Sequence, residues 1–225
     1  MIAAAVAVGT GEFTTARQLV DTAVCATPGG SWSRRRLLLW QAWLALQGER
    51  PAEARSALAT AERVPGTPAP RDVLVLESVR VGLARRHDTL ATLETVWRDS
   101  LERVRHLEVD LYTALPFTTL LTSAARTGDA VTLAHQFDSL RHLLADLGAP
   151  PAWGAHVWWA GVQQGILLNE PAMLAPHARA LAGAASDNPL AAVMARAGAV
   201  WTAVLGGKVD ADAVEGAARA LAAAG

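Results

Sequence analysis

The sequence predicts an all-α protein built as a helical repeat array, and three observations carry that prediction. A turn recurs about every forty residues, at Gly11-Glu12-Phe13, Gly48-Glu49-Arg50, Arg86-His87-Asp88, Gly128-Asp129-Ala130, Asn169-Glu170-Pro171 and Gly207-Lys208-Val209. From Gly11 through Gly48, His87, Gly128 and Asn169 to Gly207 the steps are 37, 39, 41, 41 and 38 residues. The segments between the turns carry apolar residues at helical period, and Ala and Leu dominate the composition while Phe, Trp and Tyr together number only 12 of 225 residues, which favours helix over strand by propensity. A period of this length marks units that cannot bury an apolar face alone and so stack on their neighbours. Function is then expected on a surface and not in a conventional catalytic cleft.

The elements follow in order. Only about ten residues precede the first turn, a short apolar stub. In the second unit Ser31 or Ser33 caps a helix through Leu37, Trp40, Leu44 and Leu46 that Gly48 ends, and a second helix after Pro51 places Ala54, Leu58 and Ala61 on one face. The stretch from Val64 to Pro70, rich in Pro and Gly, reads as a loop. The third pair starts near Asp72, turns at Arg86-His87-Asp88, and continues through Leu90, Leu93, Val96, Trp97 and Leu101. A fourth runs from about Asp110 to Arg126 and resumes through Leu133, Phe137, Leu140 and Leu144, with its boundary at Ala149-Pro150-Pro151. Trp153, Trp158, Trp159, Val162 and Ile166 belong to the fifth pair, followed by Leu174, Ala178 and Leu181. The sixth spans roughly Leu190 to Leu205 and Asp210 to Ala224. Ala54, Ala134, Ala175 and Ala213 share one register after their turns, where a small side chain lets paired helices approach. The short first helix and the Ala-rich close without a polar cap lead us to expect residues 1–225 to be a single helical-repeat domain taken from a longer array.

Composition narrows the function. A net charge of −1 provides no long-range field for phosphates, so direct nucleic-acid contact is not expected. The sole cysteine, Cys25, excludes an internal disulfide or a multi-cysteine metal site and reads as a buried small hydrophobe. Residues 1–8 lack the basic start of a secretory signal, and no run approaches the roughly 18 apolar residues of a membrane span, so a cytoplasmic location is expected.

Two features resemble known families. The helix pair and its turn resemble tetratricopeptide units, although the steps exceed that family's period of about 34 residues. The phrases Ala42-Trp43-Leu44-Ala45-Leu46-Gln47-Gly48-Glu49 with Ala52-Glu53-Ala54-Arg55, and Ala217-Ala218-Arg219-Ala220-Leu221-Ala222-Ala223-Ala224-Gly225, resemble the helical arm of large ATP-binding transcriptional regulators of the LuxR type. The resemblance implies a right-handed α-α superhelix of about six tetratricopeptide-like helix pairs acting as a signal-input module, with ATPase and helix-turn-helix domains elsewhere in the full-length chain. It implies no cofactor for this segment. Gly206-Gly207-Lys208 is not a phosphate-binding loop, because the first Gly is missing at the required spacing and Val209 replaces the hydroxyl that would reach Mg²⁺.

In such superhelices the first helices line the concave face. Counting back ten and six residues from each turn gives Leu38 and Ala42, Leu76 and Arg80, Thr118 and Thr122, Trp159 and Gln163, and Ala197 and Trp201; three residues further back lie Arg35, Val73, Leu115, His156 and Met194. The middle units thus offer a polar and aromatic groove of Arg80, Thr118, Thr122, His156, Trp159 and Gln163, with Glu77 beside Arg80. Such a groove suits a small polar inducer such as a sugar, stacked on an aromatic face and oriented by amides, hydroxyls and Arg. A partner peptide in the same groove is the alternative. A competing account makes Trp158, Trp159 and Trp201 core residues and leaves the polar groups solvated. Trp40 and Trp43, three residues apart, read as packing between units. Arg34-Arg35-Arg36 sits near a helix N-terminus, where its charge opposes the macrodipole, so it is either extended into solvent or engaged with an acidic partner, and the solvated reading is the one expected. His135, Asp138 and His142 share a helix face but lack a further ligand nearby, so no metal site is expected. No His-Glu-x-x-His, Gly-x-Ser-x-Gly or paired-Asp motif is present, and an enzyme is not expected.

Overall fold

The computed structural model describes residues 1–129 and 131–224, in which there are twelve helices and no strand. Ala130 of the fourth turn and Gly225 of the closing phrase lie outside the described residues. The helices are α1 (Ile2–Gly9), α2 (Phe13–Ala26), α3 (Trp32–Gln47), α4 (Pro51–Glu62), α5 (Pro70–His87), α6 (Leu90–Val104), α7 (Ala114–Arg126), α8 (Ala134–Asp146), α9 (Pro151–Leu167), α10 (Pro171–Ala184), α11 (Pro189–Leu205) and α12 (Ala211–Ala224).

Start signals in the sequence place these helices. Ser31 Oγ accepts from Arg34 N–H and Thr89 Oγ1 accepts from Thr92 N–H, each meeting one of the orphan donors of a first turn. Proline opens α4, α5, α9, α10 and α11, where its missing N–H costs nothing. The recurring turn has one geometry at five of its six sites: a left-handed residue, Gly11, Glu49, Gly128, Asn169 or Gly207, ends the helix. The next N–H in each case reaches back five residues, as Arg50 N–H to Ala45 O at 2.9 Å and Asp129 N–H to Ala124 O at 2.8 Å, so the last carbonyls of the helix are satisfied. The third turn differs, because Asp88 is extended and no residue there is left-handed.

Along the array α3 packs on α5, α5 on α7, α7 on α9 and α9 on α11, while α3 packs on α4, α5 on α6 and α9 on α10. Buried apolar side chains gather into three successive clusters, the first spanning α1 to α5 and α7, the second α5 to α9, and the third α9 to α11. Trp40 and Trp43 are fully buried with ring centroids 5.5 Å apart, edge to face. Trp43 Nε1 donates to Thr119 Oγ1 across 3.2 Å, tying α3 to α7.

The longest-range helix packing brings the start of the chain against its fifth turn-bounded segment. Helix α1 packs against α9, and the approach is close enough that a Cβ on Gly9 would lie 1.9 Å from the Ala152 carbonyl oxygen. Asn188, at the N-terminus of α11, donates to Gly9 O at 2.7 Å, and His156 Nε2 lies 3.2 Å from Val8 O. The array therefore bends round until its first helix meets its ninth.

Several sequence expectations are corrected. Cys25 is exposed on α2, because the buried face of that helix is carried by Ala16, Val20 and Val24. Ala54 is buried at its helix crossing, but Ala134 is exposed and Leu133 takes the buried place. The three arginines of α3 are not solvated; all bond inside the fold. Arg34 Nη1 donates to Val24 O and Thr27 O, both at 2.7 Å. Arg35, only 4% exposed, donates to the carbonyls of Val64, Pro65 and Gly66 and so holds the loop before α5. Arg36 pairs with Asp72 at 2.9 Å and lies over the rings of Trp32 and Tyr112.

Candidate functional site

Helices α7 and α9 stand side by side, and their facing residues open into a cavity of about 320 Å³. Thr118 and Thr122 of α7 and His156, Trp159 and Gln163 of α9 line it. Gln47 and Glu49 at the end of α3, Arg85 and Arg86 at the end of α5, Leu190 and Met194 of α11, and Phe13 of α2 complete the wall. Five of the seven residues expected to face a ligand thus meet around one space.

The other two lie elsewhere. Glu77 is 1% exposed and its carboxylate accepts from Arg80 Nη1 at 2.9 Å, Arg103 Nη1 at 2.9 Å and Ser100 Oγ at 2.7 Å. Arg80 also pairs with Glu62. This network pins α5 to α4 and α6, so Glu77 and Arg80 are structural fasteners, not groove residues. Trp158 and Trp201 pack against the third apolar cluster; Trp159 does so too while also lining the cavity.

The polar groups on the wall differ in what they can offer. Thr118 Oγ1 donates to Leu115 O at 2.6 Å, and Thr122 Oγ1 lies 3.1 Å from the carbonyls of both Thr118 and Thr119. With their protons committed to the helix, both hydroxyls present lone pairs to the cavity. His156 makes an edge-on contact with the Phe13 ring, and burial pushes its imidazole below the ordinary histidine range, so it is neutral at pH 7. Arg86 donates to Leu46 O, to Gln47 Oε1 at 3.0 Å and to Glu49 Oε1 at 2.7 Å. Burial lowers its guanidinium pKa while Glu49 opposes that shift.

Two larger depressions have less to hold a ligand with. A cavity of about 430 Å³ against α2, α3 and α4 has its charges spent internally, Arg17 and Arg50 on Glu53 and Gln41 on Asp21. A cleft of about 570 Å³ lined by Met1, Ile2, Ala5, Trp40, Leu111, Tyr112, Leu143 and Trp153 is mostly apolar, with Arg71 and Asp110 paired at its edge. His135 and His142 are exposed, and Nδ1 of His142 bonds to Asp138 O of its own helix at 2.8 Å. Among the described residues no three His, Cys, Asp or Glu side chains converge as metal ligands. No helix among them is long and apolar enough to cross a membrane.

Counting from the turns missed Arg85, Arg86, Gln47, Glu49 and Phe13. The one signal in the sequence that could have found the two arginines is their place against the third turn, which lacks the left-handed residue of the others. No protein-family model, curated protein or solved structure matches the chain at a significant level.

Proposed function

We propose that this chain is a signal-input module, a right-handed superhelix of six tetratricopeptide-like helix pairs whose cavity between α7 and α9 takes a small-molecule inducer, and that it serves a LuxR-type transcriptional regulator. The observation that carries the reading is the convergence of Thr118, Thr122, His156, Trp159 and Gln163 on one cavity also walled by α3, α5 and α11. A ligand there would touch four consecutive inner helices and α11 together, and a bound state with altered inter-helix angles would be favoured to the extent that the ligand prefers it. Trp159 supplies an aromatic face, and Gln163 supplies an amide.

The reading is tested by thermal shift against a metabolite panel that includes neutral and acidic sugars. A ligand of the cavity raises the melting temperature in proportion to the logarithm of its concentration over its affinity. Trp159→Ala and Gln163→Ala should each weaken a confirmed ligand by roughly tenfold or more; unchanged affinity in both removes the cavity as the binding site. A second reading, a protein-interaction scaffold, is favoured by the apolar cleft beside α1 that exposes Ile2. On that reading a partner would be lost on Ile2→Asp and kept on Trp159→Ala.

A further inference from the structure

Arg85 is the one arginine among the described residues that is not exposed and yet has neither an ion-pair nor a hydrogen-bond partner. The other arginines without a partner, Arg55, Arg98, Arg126 and Arg196, are all exposed. Arg85 lines the α7–α9 cavity, and its Nε is wholly buried with no acceptor. Burial first, and then the charges of Arg86 and Arg126, push its pKa down to about 10 while Glu49 opposes the shift, so it still carries its proton at pH 7. Leaving the Nε donor buried and unpaired costs stability in the free protein, since the hydrogen bond it made to water is not replaced.

The charge balance of the cavity is then simple. Arg86 is offset by Glu49, His156 is neutral, and Thr118 and Thr122 present lone pairs only. One cation is left over, in a cavity that Phe13, Trp159, Leu190 and Met194 also line. We infer that the cavity is built for a small monocarboxylate with an apolar or aromatic body, whose carboxylate takes the fork of Arg85. A guanidinium matches a carboxylate in a planar two-bond geometry, and the single excess charge selects a monoanion over a phosphate dianion. This assignment rests on the cavity being a ligand site and adds the class of ligand to it.

The test uses the full chain and a library of small carboxylates such as phenylacetate and 4-hydroxybenzoate, each paired with its neutral primary amide, with inorganic phosphate and phenyl phosphate as the dianion arm. Binding is read by Trp fluorescence and melting temperature. At least one acid should bind roughly tenfold or more tightly than its amide, and Arg85→Gln should erase that preference by weakening the acid far more than the amide. Arg85→Gln without ligand should also melt roughly 2–4 °C higher than the unaltered protein, where a merely structural arginine would melt lower. Acid and amide binding equally well overturns the carboxylate assignment and leaves the cavity as a neutral-ligand site. Phenyl phosphate outbinding every carboxylate overturns it in favour of a dianion. A flat response across acids, amides and phosphates, with Arg85→Gln melting lower, overturns both the assignment and the ligand-sensing reading beneath it.

Discussion

Single side chains in this protein have been drawn from their expected places by burial. Glu77 was expected to face a groove beside Arg80, yet it lies between α5 and α6 with three donors on its carboxylate. Glu77→Gln keeps the shape but removes the charge from two ion pairs, and because Arg80 and Arg103 can turn to water the expected loss is moderate, about 2 kcal/mol, measurable by urea unfolding. His177 is a second case. It is 7% exposed, stacked on Phe137 with centroids 5.4 Å apart, and its pKa is pushed down to about 4, first by burial and then by Arg141, with Asp138 opposing. The unfolded chain, with a histidine near 6.5, binds more protons than the folded one between these values. The stabilisation from neutral His177 is therefore complete above about pH 6.5 and is lost as pH falls toward 4, to a total of about 3 kcal/mol. His177→Gln should flatten the pH dependence of stability across that window, leaving the contribution of His156, which has the same sign. An unchanged slope in the variant would show that other groups set it.

At the scale of elements, the turn and the cap decide where helices end and what they meet. Gly128 is left-handed with open space around its Cα, so Gly128→Ala meets no clash and its cost is conformational alone, about 1 kcal/mol. Asn188 does two jobs. Its Oδ1 accepts from the N–H of Leu190 at 2.9 Å and of Ala191 at 3.2 Å, capping α11, while Nδ2 donates to Gly9 O. Asn188→Ala loses both and should cost about 2–3 kcal/mol. Asn188→Asp keeps the cap but turns a donor into an acceptor facing the Gly9 carbonyl. Denaturant midpoints of the two variants separate capping from closure: equal losses would mean that closure carries the weight.

For the whole molecule, the contact of α1 with α9 matters most. An open array of repeats unfolds by nearest-neighbour terms and frays from its ends, whereas closure couples the first helix to the fifth unit. Gly9→Ala would drive a methyl into the Ala152 backbone and should cost about 2–3 kcal/mol. Hydrogen exchange is expected to show protection falling together in α1 and α9, residues Ile2–Gly9 and Pro151–Leu167; loss confined to α1 would mean that the two fold independently.

The sequence by itself determined the all-α class and the places of the recurring turns, because caps, prolines and left-handed turns are local chemistry that a few adjacent residues specify. It also brought Thr118, Thr122, His156, Trp159 and Gln163 to notice, since α7 and α9 end in the same turn geometry and a count from those turns lands on matching faces. Only the tertiary structure decided which residues join them. The cavity slides along successive helices, from the last turns of α3 and α5 through the middle of α7 and α9 to the first turns of α11. A fixed count of ten and six therefore chose Arg80 on α5, six residues and about 9 Å along the axis from Arg86. Stagger between helices, like the closure of α1 on α9, arises from how side chains pack across units far apart in the chain. No local pattern encodes it, and it is what leaves Arg85 facing the cavity without a partner.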